Sequence, residues 1–254
     1  MKNTKLILIL ASLVFLFPVG GFGKMTEREA ISKFVSAGMA YKNEEYEDAI
    51  EKYLLIIDGG MESGAVYYNL GNSYYRKGDL GEAVLNYERA KRLMPRDSDL
   101  QFNSRYVSSR IDQHDNLNKT NFLNRAVRSF ADFYTTGEMV MVVVGAIGIL
   151  GIMFLLSLYL QWPKSWARGI MIFLAMIALI YTIGIAVKVQ LTRDRAVILM
   201  PSESYFEPRK DSTVHFKLSE GEKARMIRSE ADWTKIERLD GKTGWVSSKI
   251  LGKI

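Results

Sequence analysis

Hydrophobic and polar positions change rhythm three times along the chain. A basic start gives way to an apolar run, Leu6 to Phe17. From about residue 27 to 111, apolar residues recur at steps of three and four, the period of helices packed by one face. Two charge-free stretches come next, Met139 to Leu160 and Gly169 to Val187, separated by Gln161 to Arg168. Each offers about the 20 apolar positions with which a helix crosses a ~30 Å hydrocarbon core. Past Arg195 come short runs broken by turn residues: Ala196 to Met200, Thr213 to Leu218, Lys223 to Arg228, Trp233 to Leu239 and Thr243 to Val246. They predict five short strands. The expected architecture is a multidomain membrane protein: an all-α module, a two-helix transmembrane hairpin and a small all-β module.

At the N-terminus, Lys2 and Lys5 precede the apolar run, Pro18 breaks it, and Gly21 and Gly23 supply small residues. This is the layout of a signal peptide over residues 1–23, either cleaved after Gly23 or kept as an anchor. Both outcomes export the helical module that begins at Lys24.

The helical module repeats itself. Residues 34–50 align without a gap on residues 68–84, an offset of 34. Small residues recur at Ala37 and Gly71, alanines at Ala49 and Ala83, aromatics at Tyr53 and Tyr87, and Pro95 closes the second copy. This pattern resembles the tetratricopeptide repeat, with copies at 30–63 and 64–97 and a capping helix from Leu100 to Ile111, all within 24–111. The resemblance implies a concave groove lined by the first helix of each copy. Its positions fall on Phe34, Tyr41 and Lys42, then Tyr68, Asn72, Tyr75 and Arg76, then Phe102, Tyr106 and Arg110 of the cap. Such a mix suits an extended peptide or an acidic tail, although tyrosines there also serve repeat packing. Gly38 stands where the carboxylate-clamp version of the family wants asparagine.

Residues 112–137 form a connector. Asn116, Asn118, Asn121 and Asn124 make it polar, while Phe122, Leu123, Val127, Phe130, Phe133 and Tyr134 share a helical face beside Arg125 and Arg128, as in an interfacial helix. The first span is then 138–160, a cytoplasmic loop 161–168 and the second span 169–188. Lys164 and Arg168 agree with a cytoplasmic loop and Trp162 and Trp166 suit the interface, but Arg125, Arg128, Lys188, Arg193 and Arg195 flank the other side, so the signal peptide sets the orientation. Gly145, Gly148 and Gly151 mark one stripe, and Ala175, Ala178, Thr182 and Ala186 another. These small faces are expected to meet.

The segment 193–254 resembles a bacterial SH3-like barrel through its opening β-branched strand, the turn at Leu218 to Gly221, the Trp233 strand and the closing Gly244-Trp245-Val246. The resemblance implies binding of short peptides or cell-wall components such as peptidoglycan. Tyr205, Trp233 and Trp245 are the candidate ligand aromatics; core packing is the other use for both tryptophans.

Charge adds little. Residues 24–137 carry 16 basic and 17 acidic residues and 188–254 carry 14 and 10, a surplus too small to imply nucleic acid. The chain has no cysteine and only two histidines, His114 and His215, in different modules. Disulfides, thiolate metal sites and a serine–histidine–acid set are thereby excluded, and no catalytic residue, cofactor or metal is expected. The order of signal peptide, repeats, hairpin and SH3-like module resembles the E component of the bacterial aerotolerance (Bat) operon proteins. That resemblance implies a non-enzymatic scaffold on the outer face of the cytoplasmic membrane, beside von Willebrand factor A-type membrane proteins and a MoxR-type ATPase, in oxidative or envelope stress. A cell-wall sensor or anchor is the competing reading.

Overall fold

The computed structural model describes residues 25–111, 122–157 and 164–254. The leader at 1–23, the connector bearing His114, Asn116 and Asn118, and the turn at Trp162 lie outside the described residues, as do the side chains of Phe122, Leu123, Arg125 and Lys164.

The N-terminal module consists of α1 (Glu27–Lys42), α2 (Tyr46–Asp58), α3 (Gly64–Lys77), α4 (Leu80–Leu93) and α5 (Ser98–Ser108). Local signals set their ends. Thr26 and Glu29 form a reciprocal capping box, the Glu29 carboxylate accepting from the Thr26 backbone N–H at 2.9 Å. Ser63 and Asp97 cap α3 and α5. Gly78 ends α3 at φ 102°, a left-handed conformation that favours glycine. Alanines let the first pair of helices close on each other, with Ala37, Ala40 and Ala49 buried around Tyr53. In the second pair, a Cβ added to Gly71 would lie 2.8 Å from the Tyr87 ring. The small residue is there because the aromatic is.

Helix α4 is buried on more than one side. Ala83, Tyr87 and Ala90 join Tyr67 of α3 and Leu100 and Val107 of α5 in one cluster, which also contains Val197 of the C-terminal module. That module is an antiparallel sheet of β1 (Arg195–Ile198), β2 (Ser202–Tyr205), β3 (Val214–Leu218), β4 (Lys223–Glu230), β5 (Trp233–Arg238), β6 (Thr243–Ser247) and β7 (Leu251–Lys253). Its strand order is β3-β2-β6-β5-β4-β1-β7. Two strands exceed the five expected. Polar β2 pairs with β3 and β6, and short β7 pairs with β1. Ile198, Phe216, Leu218, Ile236 and Val246 make the sheet's own core.

The helical module and the sheet pack on each other, with the sheet seated on α4. A Cβ at Gly81 would lie 2.6 Å from the Leu199 carbonyl oxygen, and one at Gly252 would lie 2.8 Å from a Leu199 methyl and also meet Leu85. Asp79 makes no side-chain capping bond to α4. The Glu220 carboxylate instead accepts from the Gly81 N–H at 2.7 Å, so the sheet caps the helix. About two turns further along, Glu88 receives Lys91 at 2.9 Å and Lys223 of β4 at 2.8 Å. Burial opposes ionisation of Glu88, but the charges of Lys223 and Lys91 outweigh it and hold its pKa at about 2. Arg89 also donates to the Lys253 carbonyl at 2.9 Å.

Below this body lie α6 (Phe122–Phe133), α7 (Thr136–Ser157) and α8 (Lys164–Thr192). Helices α7 and α8 are long and apolar enough to cross a membrane, and their apolar side chains are largely exposed rather than packed in a core. Arg96, just past α4, pairs with Glu138 at the start of α7. Phe130 of α6 packs against Tyr181 of α8, ring centroids 5.4 Å apart, over Gly184. The Lys188 ammonium donates to the carbonyls of Ala131 and Tyr134, satisfying the end of α6. Only Arg193 and Asp194 separate α8 from β1.

The small-residue stripes do not meet. A Cβ at Gly145, Gly148 or Gly151 would find nothing within 4 Å. Ala175, Thr182 and Ala186 are exposed and only Ala178 is half-buried. Helix α7 instead turns Met139 and Ala146 inward, with Val142, Val143, Leu150 and Met153 half-buried on the same side.

This packing predicts two measurements on the purified chain in detergent. Gly81→Leu is expected to lower stability by about 1–3 kcal/mol by forcing the sheet from α4, whereas Gly148→Leu leaves the thermal midpoint unchanged; equal effects would contradict the placement of both glycines. Acidification gives the second. The Glu88 carboxyl sits below its ordinary 4.5, so its contribution is complete above about pH 4.5 and lost as pH falls through about 2. Glu88→Gln should flatten that part of the stability profile. At neutral pH it should cost about 2 kcal/mol, less than a fully buried pair because both lysines are partly exposed.

Candidate functional site

The inner faces of α3 and α5 diverge from Tyr41 of α1 and enclose a cavity of about 210 Å³. Six of the ten expected groove residues line it: Tyr41, Asn72, Tyr75, Arg76, Phe102 and Tyr106. Tyr75 meets Tyr106 edge-on at 6.0 Å, and Phe102 stacks with Tyr106 at 6.5 Å. Phe102 is 65% exposed, a large apolar side chain turned to solvent on a helix with a buried face available. Helical spacing explains the wall: Phe102 and Tyr106 are four apart on α5, as Asn72 and Arg76 are on α3.

Asn72 organises the floor. Its Oδ1 accepts from the Tyr87 hydroxyl at 2.7 Å and from the Asn103 amide at 3.0 Å, and the same Asn103 amide donates to the Tyr68 hydroxyl at 2.9 Å. Burial raises the pKa of Tyr87, and burial likewise raises that of Tyr68 against the Asn72 hydrogen bond. Both phenols therefore stay protonated, Tyr87 as the donor to Asn72 and Tyr68 as the acceptor from Asn103. On the rim, the Arg76 guanidinium lies 5.0 Å from the Tyr46 ring centroid and 6.0 Å from that of Tyr41. Its pairing with Glu44 at 3.5 Å is exposed and therefore weak.

Four expected groove residues fall elsewhere. Phe34 packs edge-on against Tyr53 at 5.7 Å beside the first core. Tyr68 lies beneath the floor, and Lys42 is exposed outside the cavity. Arg110 stands 4.7 Å over the Tyr106 ring and donates to its hydroxyl at 2.5 Å, bracing the wall from outside. Asn103, Tyr87 and Val107 line the cavity without having been expected there. The available signal for Asn103 was its position one residue past Phe102, where the helix turns towards α3.

A second surface lies on the sheet. Tyr205 is opposite Trp245 across β2 and β6, and its ring meets Trp233 edge-on at 5.7 Å. Strand alternation puts Val246 in the core and Trp245 on the other face. Trp245 is 8% exposed, while Tyr205 and Trp233 are half-buried. The three lie on one face of the sheet, Tyr205 and Trp233 partly exposed and Trp245 buried. Nearby, Phe206 stacks on His215 at 4.1 Å, and His215 Nδ1 lies 3.0 Å from the Thr243 carbonyl.

Comparison with known families identifies the modules that carry these surfaces. The tetratricopeptide repeat family matches residues 64–97, which hold α3 and α4. The bacterial SH3 domain family matches residues 205–251, from the end of β2 to the start of β7. No curated protein matches the chain. The chain thus contains a tetratricopeptide repeat and a bacterial SH3 domain, two modules whose usual work is binding rather than catalysis.

Proposed function

We propose that the protein is a non-enzymatic, membrane-anchored scaffold whose repeat groove holds an extended segment of a partner protein. The observation that carries this reading is the groove itself: aromatic walls, a hydrogen-bonded amide floor and an arginine on the rim. Extended peptides bind such surfaces through their backbone at polar floors and through side chains in aromatic pockets. The arginines favour a segment with acidic residues.

Helices α7 and α8 are the anchor, crossing the cytoplasmic membrane as a hairpin. The shared core of α4 and the sheet supports this, because modules that pack together must lie on one side of the bilayer and so need an even number of crossings. With an exported N-terminus, both modules face the periplasm or cell exterior. The module order further supports an accessory role in a Bat-type aerotolerance or envelope-stress complex, with von Willebrand factor A-type membrane proteins and a MoxR-type ATPase as the partners that resemblance implies. The aromatic patch of Tyr205, Trp233 and Trp245 favours a second reading, in which the SH3 domain holds peptidoglycan and the protein senses or anchors to the wall.

Reporter fusions after Gly137 and at Ile254 should both give extracytoplasmic activity; cytoplasmic activity at either overturns the topology. A photo-cross-linking residue at Phe102 is expected to capture a protein partner in cells, and the pair Tyr75→Ala with Arg76→Glu should reduce that capture at least tenfold. Asn72→Leu, which strands two donors, should instead cost about 1–3 kcal/mol of stability. If the full chain sediments with peptidoglycan in a Trp233-dependent manner and Phe102 captures nothing, the second reading replaces the first.

A further inference from the structure

The repeat array, the sheet, α6 and α8 surround a cavity of about 260 Å³ that belongs to neither surface described above. Its volume is several times the roughly 30 Å³ of a liquid water. Five cationic side chains line it: Lys91 and Arg92 of α4, Lys188 of α8, Arg195 of β1 and Lys223 of β4. Glu88 and Asp132 are the lining carboxylates, so the side chains leave a surplus of three positive charges. A carboxylate at Ile254 would still leave two.

These charges are not equally committed. Lys91 and Lys223 share Glu88, and one of the two is therefore in excess. Lys188 is 6% exposed and spends hydrogen bonds on the neutral carbonyls of Ala131 and Tyr134. Arg92 and Arg195 are exposed, and among the described residues neither guanidinium takes part in an ion pair. Helix α4 and the α8–β1 junction, far apart in sequence, thus bring uncompensated positive charge to one hollow.

Its height is informative. Lys188 and Thr192 come directly after the apolar run ending at Val187, which at ~1.5 Å per residue places them within about 8 Å of its end. That is the headgroup layer of a bilayer crossed by α8. We propose that this cavity binds the phosphate of an anionic lipid headgroup. Lysine and arginine at this depth are drawn to anionic lipid, and guanidinium groups supply the paired donors that phosphate oxygens accept. The inference rests on α7 and α8 crossing the membrane, as proposed above.

The test uses the full chain purified in neutral detergent and titrated with phosphatidylglycerol, phosphatidylcholine or inorganic phosphate. Native mass spectrometry counts retained lipid, and thermal unfolding reports the midpoint. Phosphatidylglycerol should be retained and raise the midpoint, while the other two at equal concentration do neither. Arg92→Gln with Arg195→Gln should weaken retention roughly thirtyfold and leave the lipid-free midpoint unchanged. Should the double variant be unstable, Arg92→Gln alone should weaken retention roughly fivefold. Undiminished retention by the variants, or an equal gain from phosphatidylcholine or inorganic phosphate, overturns the site. Failure of the chain to enter the membrane fraction of cells would instead sink the membrane reading, whereas a membrane-embedded chain with no lipid preference sinks the site alone.

Discussion

Burial of α4 on two fronts is the constraint on which the other contacts depend. One side closes the repeat against Gly71, and another receives the sheet along Gly81, Leu85 and Glu88. The helix cannot supply its own N-terminal cap, and Glu220 reaches across from the sheet to do so. One matched repeat, the helix pair before it and α5 make a short helical array with an open flank. The sheet covers that flank, so the N-terminal helices and the C-terminal strands stabilise each other despite the two long apolar helices between them in sequence.

How much of this was legible depended on whether a signal was local. The 34-residue offset exposed the repeat because small and aromatic residues must recur wherever neighbouring helices press together. Strand β2, Ser202–Tyr205, escaped because only Tyr205 among its four residues is apolar, and its place is fixed by pairing on both sides. Leu251–Lys253 is too short to display a period. In α7 and α8 every face is apolar, so polarity could not mark the contact side. Small-residue spacing was then the cue, and apart from half-buried Ala178 it pointed outward. The small residue that matters is Gly184, made necessary by Phe130 of a helix remote in sequence.

The groove shows the same division. Positions read from the first helix of each repeat found its walls, since they obey helix geometry. The floor was missed, because Asn103 and Tyr87 become neighbours of Asn72 only when α4 and α5 fold back on α3. Docking of the sheet left one faint trace: α4 carries Leu85 beside Val84 and Gly81, more non-polar surface than a helix facing one neighbour requires.

The junction between α8 and β1 has a mechanical consequence. Helix α8 has 29 residues and is thus a rod of about 44 Å, and two residues join it to strand β1, whose Val197 is wedged into the α4 core. Arg96 and Glu138 fasten the second strut, α7, to the same body. A soluble body held at two points by stiff struts cannot swing on a tether. With α7 and α8 crossing the bilayer as proposed, thinning or thickening that tilts the rods becomes a torque on the seam between sheet and repeats, so that the molecule is geared to its membrane rather than moored to it.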